Sequence, residues 1–232
     1  MDYLVLGIVA GLAAVERKGF LQAMLSRPVA LAPLSGWLLG DVEGGVLLAA
    51  PLELFWLGSV NLGAALPVHE ALGTAAIAGG AVLAGRAVGT GVTPAIALLA
   101  VLLCAPLALL GRKADRIVEI WNERLAVRAE AALAGGHPRA AVRMNLYGLA
   151  APFAISALLA PLGAAVAAAV IPAVLGRVPR ATFPLELGFV AFSAFAAGSG
   201  AKALRAKDAP LFFFAALACA AVAGLLLGRI RP

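Results

Sequence analysis

The chain is 232 residues long, 63% hydrophobic and 13% charged, with a formal net charge of +6. A soluble domain carries ~25% charged residues, so this composition excludes one. The surplus of Lys and Arg punctuates apolar runs of roughly 20 residues, the length that crosses a hydrocarbon core, which excludes a nucleic-acid partner and fits loops anchored at a lipid bilayer.

Residues 3–15 are apolar and stop at Glu16-Arg17-Lys18, a short first segment that half-spans or re-enters. Asp2 precedes it without any basic stretch, so it reads as a retained segment and not as a cleaved signal peptide. The next apolar stretch, 20–39, is interrupted by Arg27-Pro28 and by Pro33. A proline disfavours helical geometry in the residue before it and removes a donor, so a bend is expected at Arg27. Gly40-Asp41 then punctuates the chain, with Asp41 placed to cap the following helix.

Residues 44–71 carry the main polar anomaly. Glu53 stands in the middle of this apolar stretch and Asn61 near its far end. An ionisable side chain at that depth costs roughly 2.5–3.5 kcal/mol on insertion scales and generally faces a cavity or a pathway. Pro51, Gly58 and Gly63 weaken helix continuity nearby. Broken helices with buried polar groups are how transporters present backbone to a substrate at membrane depth. A structural alternative pairs Glu53 with Arg86 or a backbone amide, and lets Asn61 join helices. His69 and Glu70, following Pro67, read as an exposed turn.

Residues 71–87 are dense in Ala and Gly, which lets helices approach closely in lipid. Residues 93–110 form a clean span, with Pro106 as a candidate kink. Residues 112–134 are charged throughout, with Ile117, Trp121 and Leu125 at four-residue spacing. This is an amphipathic helix closed by Gly135-Gly136 and Pro138. It is too polar to span, its basic excess makes it cytoplasmic, and it either lies on the membrane surface or docks a soluble partner. His137 belongs to the loop. Apolar character resumes over 146–175, with breaks expected at Pro152 and Pro161. It continues over 183–200, where Glu186 is a helix-start residue, and over 209–227. Cys104 and Cys219 lie inside apolar runs and read as buried thiols. The expected fold is an all-α polytopic membrane protein of about eight membrane segments, including broken or re-entrant helices. It forms one transport domain over 1–232: membrane segments with the polar motif over 1–111, an amphipathic cytoplasmic connector over 112–145, and membrane segments over 146–232.

Within residues 16–72, several motifs follow in order: Arg27-Pro28, LLGD ending at Asp41, LELFWLG over 52–58 and NLGAA over 61–65. Together they resemble the membrane IIC subunit of mannose/fructose/sorbose-type sugar phosphotransferase systems. The proline-acidic pattern that follows in that family stands here as Pro67-Val68-His69-Glu70, a departure that leaves the roles of His69 and Glu70 open. Downstream the resemblance is one of layout. It implies a multi-pass protein of the bacterial cytoplasmic (inner) membrane that binds a hexose and imports it for phosphorylation. The partners it implies are a IID membrane subunit, soluble IIA and IIB phosphocarriers, and an oligomeric assembly. The chain has two histidines, His69 and His137, and no soluble domain, so the phosphoryl donor is another polypeptide.

The residue chemistry agrees. A sugar needs hydrogen-bond partners inside a partly apolar pocket. Glu53 accepts from two hydroxyls, Asn61 accepts and donates, Gln22 supplies a second amide, and Trp56, three residues after Glu53, has a ring that could stack on a sugar. Two other classes stay open: an ion-coupled secondary transporter with Glu53 as the coupling carboxylate, and a degenerate scaffold or regulatory subunit. No HExxH, GxSxG or clustered acidic motif is present, so no catalytic residue, metal or cofactor is expected.

Overall fold

The computed structural model describes residues 1–19, 21–58, 66–204, 207–208, 210–215, 217–218 and 221–222. These form α1 (Asp2–Lys18), α2 (Pro28–Leu39), α3 (Val42–Trp56), α4 (Glu70–Val88), α5 (Pro94–Ala134), α6 (Pro138–Tyr147), α7 (Ala150–Arg177) and α8 (Thr182–Ala203), with one 3-10 turn at Pro179–Ala181. Local chemistry sets many of the boundaries. Asp41 caps α3, its Oδ1 accepting from the Gly44 amide at 2.8 Å, and Gly40 ends α2 in the left-handed conformation at φ 89°. Thr93 caps α5 just ahead of Pro94, and α5 ends at Gly135.

The arrangement follows from which faces are small. α2 and α3 fold back on each other as a helical hairpin about Gly40-Asp41. Arg27 and Glu53 therefore sit together at its base. Gly11 of α1 lies under the Phe153 ring and Gly7 against Ala157, so α1 and α7 run antiparallel. α4, built largely of Ala and Gly, is the central helix: 83% of its apolar window is buried, against 22% for α8. Close backbone approach drives association in lipid where burial of apolar surface cannot. α4, α5, α7 and α8 are long and apolar enough to cross a membrane.

The 19 residues of α4 are about 28 Å long, close to the hydrocarbon thickness of ~30 Å. Polar side chains gather at its two ends. One end holds the last turn of α1, the base of the hairpin and the start of α4; the charged part of α5, residues 112–134, leaves the bundle there as a rod, and we call it the rod end. The other holds the hairpin tip, Asp2 and Arg86, and we call it the tip end.

Two expectations change. Residues 112–134 are not a separate helix lying on the membrane surface. α5 runs unbroken for 41 residues, about 60 Å, twice the bilayer core. Composition switches from apolar to charged near residue 111, while nothing in the backbone chemistry stops the helix until Gly135. The rod buries Asp115, Val118 and Leu125 on one side and exposes Ile117, Ile120, Trp121 and Val127 on the other. α7 likewise runs through Pro161 without a break, and Pro152 falls in its first turn; membrane helices tolerate proline when neighbours cover the freed carbonyl. Cys104 is buried, and Cys219 lies outside the described residues.

Candidate functional site

The Arg27-Pro28 pair builds the first half of the site. Pro28 opens α2 and holds Arg27 in an extended conformation, φ −70° and ψ 142°, so its side chain leaves the helix start sideways. The guanidinium then serves two carboxylates. Nε donates to Glu53 Oε1 at 3.0 Å, and Nη2 donates to the same oxygen. Nη1 donates to both oxygens of Glu70, at 3.1 and 3.2 Å. Glu53 Oε2 accepts from the Val29 amide at 3.2 Å. Glu53 is thus held by Arg27 and a backbone amide. Arg86 stands at the tip end, paired with Asp2 and donating to the Leu39 carbonyl.

Arg27 and Glu53 keep 23% and 19% of their side-chain surface exposed, against 8% for Glu70. One edge of the pair is therefore open. A planar arginine–carboxylate pair presents remaining N–H donors beside remaining lone pairs, a complement for neighbouring hydroxyls of a neutral polyol. Thr74 lies one turn after Glu70 on α4, and its fully buried hydroxyl has no hydrogen-bond partner among the described residues.

A second layer of charge lies behind the first. Asp115 of α5 takes Arg17 Nη1 at 2.9 Å and Lys18 Nζ at 3.1 Å, and Arg17 Nη2 also donates to the Val68 carbonyl at 3.3 Å. Glu16 accepts from the Ser26 amide at 3.0 Å, closing the connector from α1 to α2.

His69 and Glu70 overturn the reading of an exposed turn: they are 2% and 6% exposed. The 66–69 segment folds back onto α5, where the His69 amide donates to the Ala108 carbonyl at 3.0 Å. Gly111 makes this approach possible, since a Cβ there would stand 2.5 Å from the His69 Cβ. His69 Nδ1 accepts from the Leu72 amide at 3.2 Å, so the ring proton resides on Nε2, which faces Ser156 Oγ of α7 at 3.4 Å.

The other sequence candidates are dispersed. Gln22 is exposed in the α1–α2 connector, with its backbone in the left-handed region at φ 49° between Leu21 at 65° and Met24 at 61°. Asn61 lies outside the described residues. Trp56 is 4% exposed, with its ring packed where a Gly73 side chain would be and 5.5 Å from the Phe55 ring centroid. A ring so covered has no free face for a sugar. Arg27 was legible as a bend and as part of the family motif, Glu70 as a turn residue of open role, and Arg17 and Asp115 not as site residues at all. The available signal was charge at the margins of apolar runs: Glu16-Arg17-Lys18, Glu70 and Asp115 each sit at such a margin.

Residues 1–184 match the model of the sorbose-specific IIC component family of the sugar phosphotransferase system. The chain is 41% identical over 92 residues to an Escherichia coli (strain K12) protein provisionally named N-acetylgalactosamine permease IIC component 2; the match covers 40% of this chain and 64% of that relative. It is 31% identical over 97 residues to the fructose permease IIC component of Bacillus subtilis (strain 168), covering 42% of this chain and 35% of that protein. The chain thus spans less than two thirds of either relative. In fold it is similar to a solved membrane protein at TM-score 0.67 and 21% identity, over 99% of this chain and 92% of the other. It is also similar to a chain of the mannose transporter ManYZ in complex with microcin E492, at TM-score 0.58 and 22% identity, with the same coverage of 99% and 92%. The chain belongs to the family of sorbose-specific IIC membrane components of the sugar phosphotransferase system.

Proposed function

We propose that this chain is the sugar-translocating subunit of a phosphoenolpyruvate-dependent phosphotransferase system. It binds a hexose at the Arg27–Glu53 pair and releases it inward for phosphorylation by a soluble IIB partner, itself charged by IIA. The observation that carries this reading is Arg27 clasped between Glu53 and Glu70 at the base of a helical hairpin, with one edge left open. The permeases of the family that it resembles, named for N-acetylgalactosamine and fructose, support a hexose as ligand. Asn61 and Gln22 stay proposed ligands on their amide chemistry alone, and Trp56 braces α3 against α4. The likeness to a ManYZ chain supports a IID subunit as the membrane partner within an oligomer of the bacterial inner membrane.

The charge pattern supports the direction of release. The rod carries Arg112, Lys113, Arg116, Arg124 and Arg128, so the positive-inside rule puts the rod end, and the open site with it, in the cytoplasm. The ion-coupled alternative fares worse, because Arg27 already neutralises the carboxylate that a proton or sodium ion would need. The test is hexose binding to detergent-extracted, assembled carrier, compared between the parent and Glu53→Gln and normalised to carrier amount. Loss of binding with assembly intact is expected. Parental affinity in Glu53→Gln would remove Glu53 from the site. Orientation is tested by Glu123→Cys, which should resist an impermeant thiol reagent added outside intact cells.

A further inference from the structure

Building on the sugar site proposed above, we infer that Arg17 and Asp115 are positioning residues. They form a clamp by which the rod sets the 66–70 segment, and through Glu70 the Arg27–Glu53 pair.

Asp115 stands one turn beyond Gly111, on the charged part of α5, yet it is 2% exposed. The other rod carboxylates, Glu119, Glu123 and Glu130, face out. Each of its oxygens holds a cation, Oδ2 that of Arg17 and Oδ1 that of Lys18. The two cations then diverge. The Arg17 fork divides, Nη1 on Asp115 and Nη2 on the Val68 carbonyl. The same stretch is tied to α5 by the His69 amide on Ala108. Two residues after Val68, Glu70 receives Arg27. One guanidinium therefore joins a rod carboxylate to the backbone that orients Glu70. A planar fork reaches the two acceptors from separate nitrogens in fixed directions, whereas an ammonium group offers its three donors from one nitrogen on a flexible stem.

Stability alone does not account for the cluster. Buried ion pairs are often no better for stability than apolar replacements of the same volume, and what they contribute is restriction to one arrangement. Here the arrangement restricted is that of the segment between the 59–65 stretch, which holds Asn61, and Glu70. Sugar affinity thus depends on two residues that the sugar does not touch.

The test separates the two cations. Arg17→Lys keeps the charge facing Asp115 and gives up the divided fork. Lys18→Met removes the other pair and leaves Val68 alone. Each is made in a chain carrying Leu66→Cys as reporter, with Cys104→Ala and Cys219→Ala. Two quantities are read on assembled carrier: the alkylation rate at position 66 and hexose affinity. Arg17→Lys should raise the alkylation rate about fivefold and weaken hexose binding about tenfold, while Lys18→Met changes either by no more than about twofold. Equal effects of the two substitutions would overturn the clamp. A faster alkylation with unchanged affinity would overturn its link to the sugar. If the parent itself binds no hexose, the sugar site proposed above fails and the link with it, while the alkylation rates still decide whether the clamp exists.

Discussion

The two ends of the helix bundle handle charge in opposite ways. At the tip end, Asp41 caps a helix and takes the Val92 amide at 2.9 Å, and the Arg86–Asp2 pair keeps 53% and 38% of its side-chain surface exposed. Each charge there has water or a helix terminus to satisfy it. At the rod end the charges come from α1, the base of the hairpin, α4 and α5 and are largely covered, Asp115 at 2% and Glu70 at 6% exposure. They satisfy one another instead of water. Charge at a helix end beside solvent is ordinary helix chemistry and holds little energy. Charge kept under cover, against its desolvation, restricts how the surrounding elements sit. The two ends of α4 thus differ in kind, one built of caps and the other of mutually dependent ions around an open edge.

Arg27→Met should break the rod end most severely. It leaves Glu53 and Glu70 facing each other with their shared cation gone. Removing one partner of a buried ion pair costs about 3–5 kcal/mol. Thermal unfolding of the extracted carrier should show a loss of that size, with hexose binding abolished in whatever assembles. A parental unfolding curve would mean that the two carboxylates find other partners, and the rod end would then resemble the tip end.

Glu53→Gln comes next. The amide keeps the side-chain volume but replaces one acceptor oxygen with a donor that faces Arg27 or the ligand. Loss of a charge-assisted bond costs about 1.5–3 kcal/mol, or about 10- to 150-fold in hexose affinity. Calorimetric titration of assembled carrier reads it directly. Gly111→Ala should follow. The new Cβ would stand 2.5 Å from the His69 Cβ, an atom next to the backbone that cannot swing aside, so the 66–69 segment must lift. Overpacking of this kind costs about 1–3 kcal/mol, visible as a lower unfolding midpoint and weaker hexose binding together. A stable Gly111→Ala carrier with parental affinity would show that the segment need not be seated on α5.

Much of the fold was legible because its signals are local. Asp41 and Gly135 act on amides and carbonyls within a turn of themselves, so their caps can be read from residue type and spacing. Glu53 was legible because a carboxylate in an apolar run is conspicuous wherever the chain folds. Its partner was not. Arg27 lies 26 residues away, and only the closing of the hairpin brings the two together. His69 and Glu70 were misread for a similar reason. A proline followed by polar residues does describe a turn, but whether the turn faces water depends on Gly111, some 40 residues later. The rod was cut from α5 because hydropathy changes at residue 112; a helix backbone responds to glycine, proline and caps, and none stops it there.

Asp2→Asn should have the smallest effect and is the sharpest control on the contrast between the ends. Two favourable interactions are removed. An exposed ion pair with Arg86 is worth about 0.2–1 kcal/mol, and a negative charge in the first turn of α1 about 0.3–1 kcal/mol through the helix dipole. Salt screens each of them. Arg86 retains its bond to the Leu39 carbonyl, so no buried group loses its partner. The unfolding free energy should therefore fall by no more than about 2 kcal/mol at low ionic strength, with the difference shrinking as salt is added. Hexose affinity should match the parent, because the rod end is separated from Asp2 by the length of α1. If Asp2→Asn weakened hexose binding as far as Glu53→Gln does, the hairpin would be transmitting strain between its tip and its base. The two polar ends would then be one energetic unit, and the division drawn from their exposure would not hold.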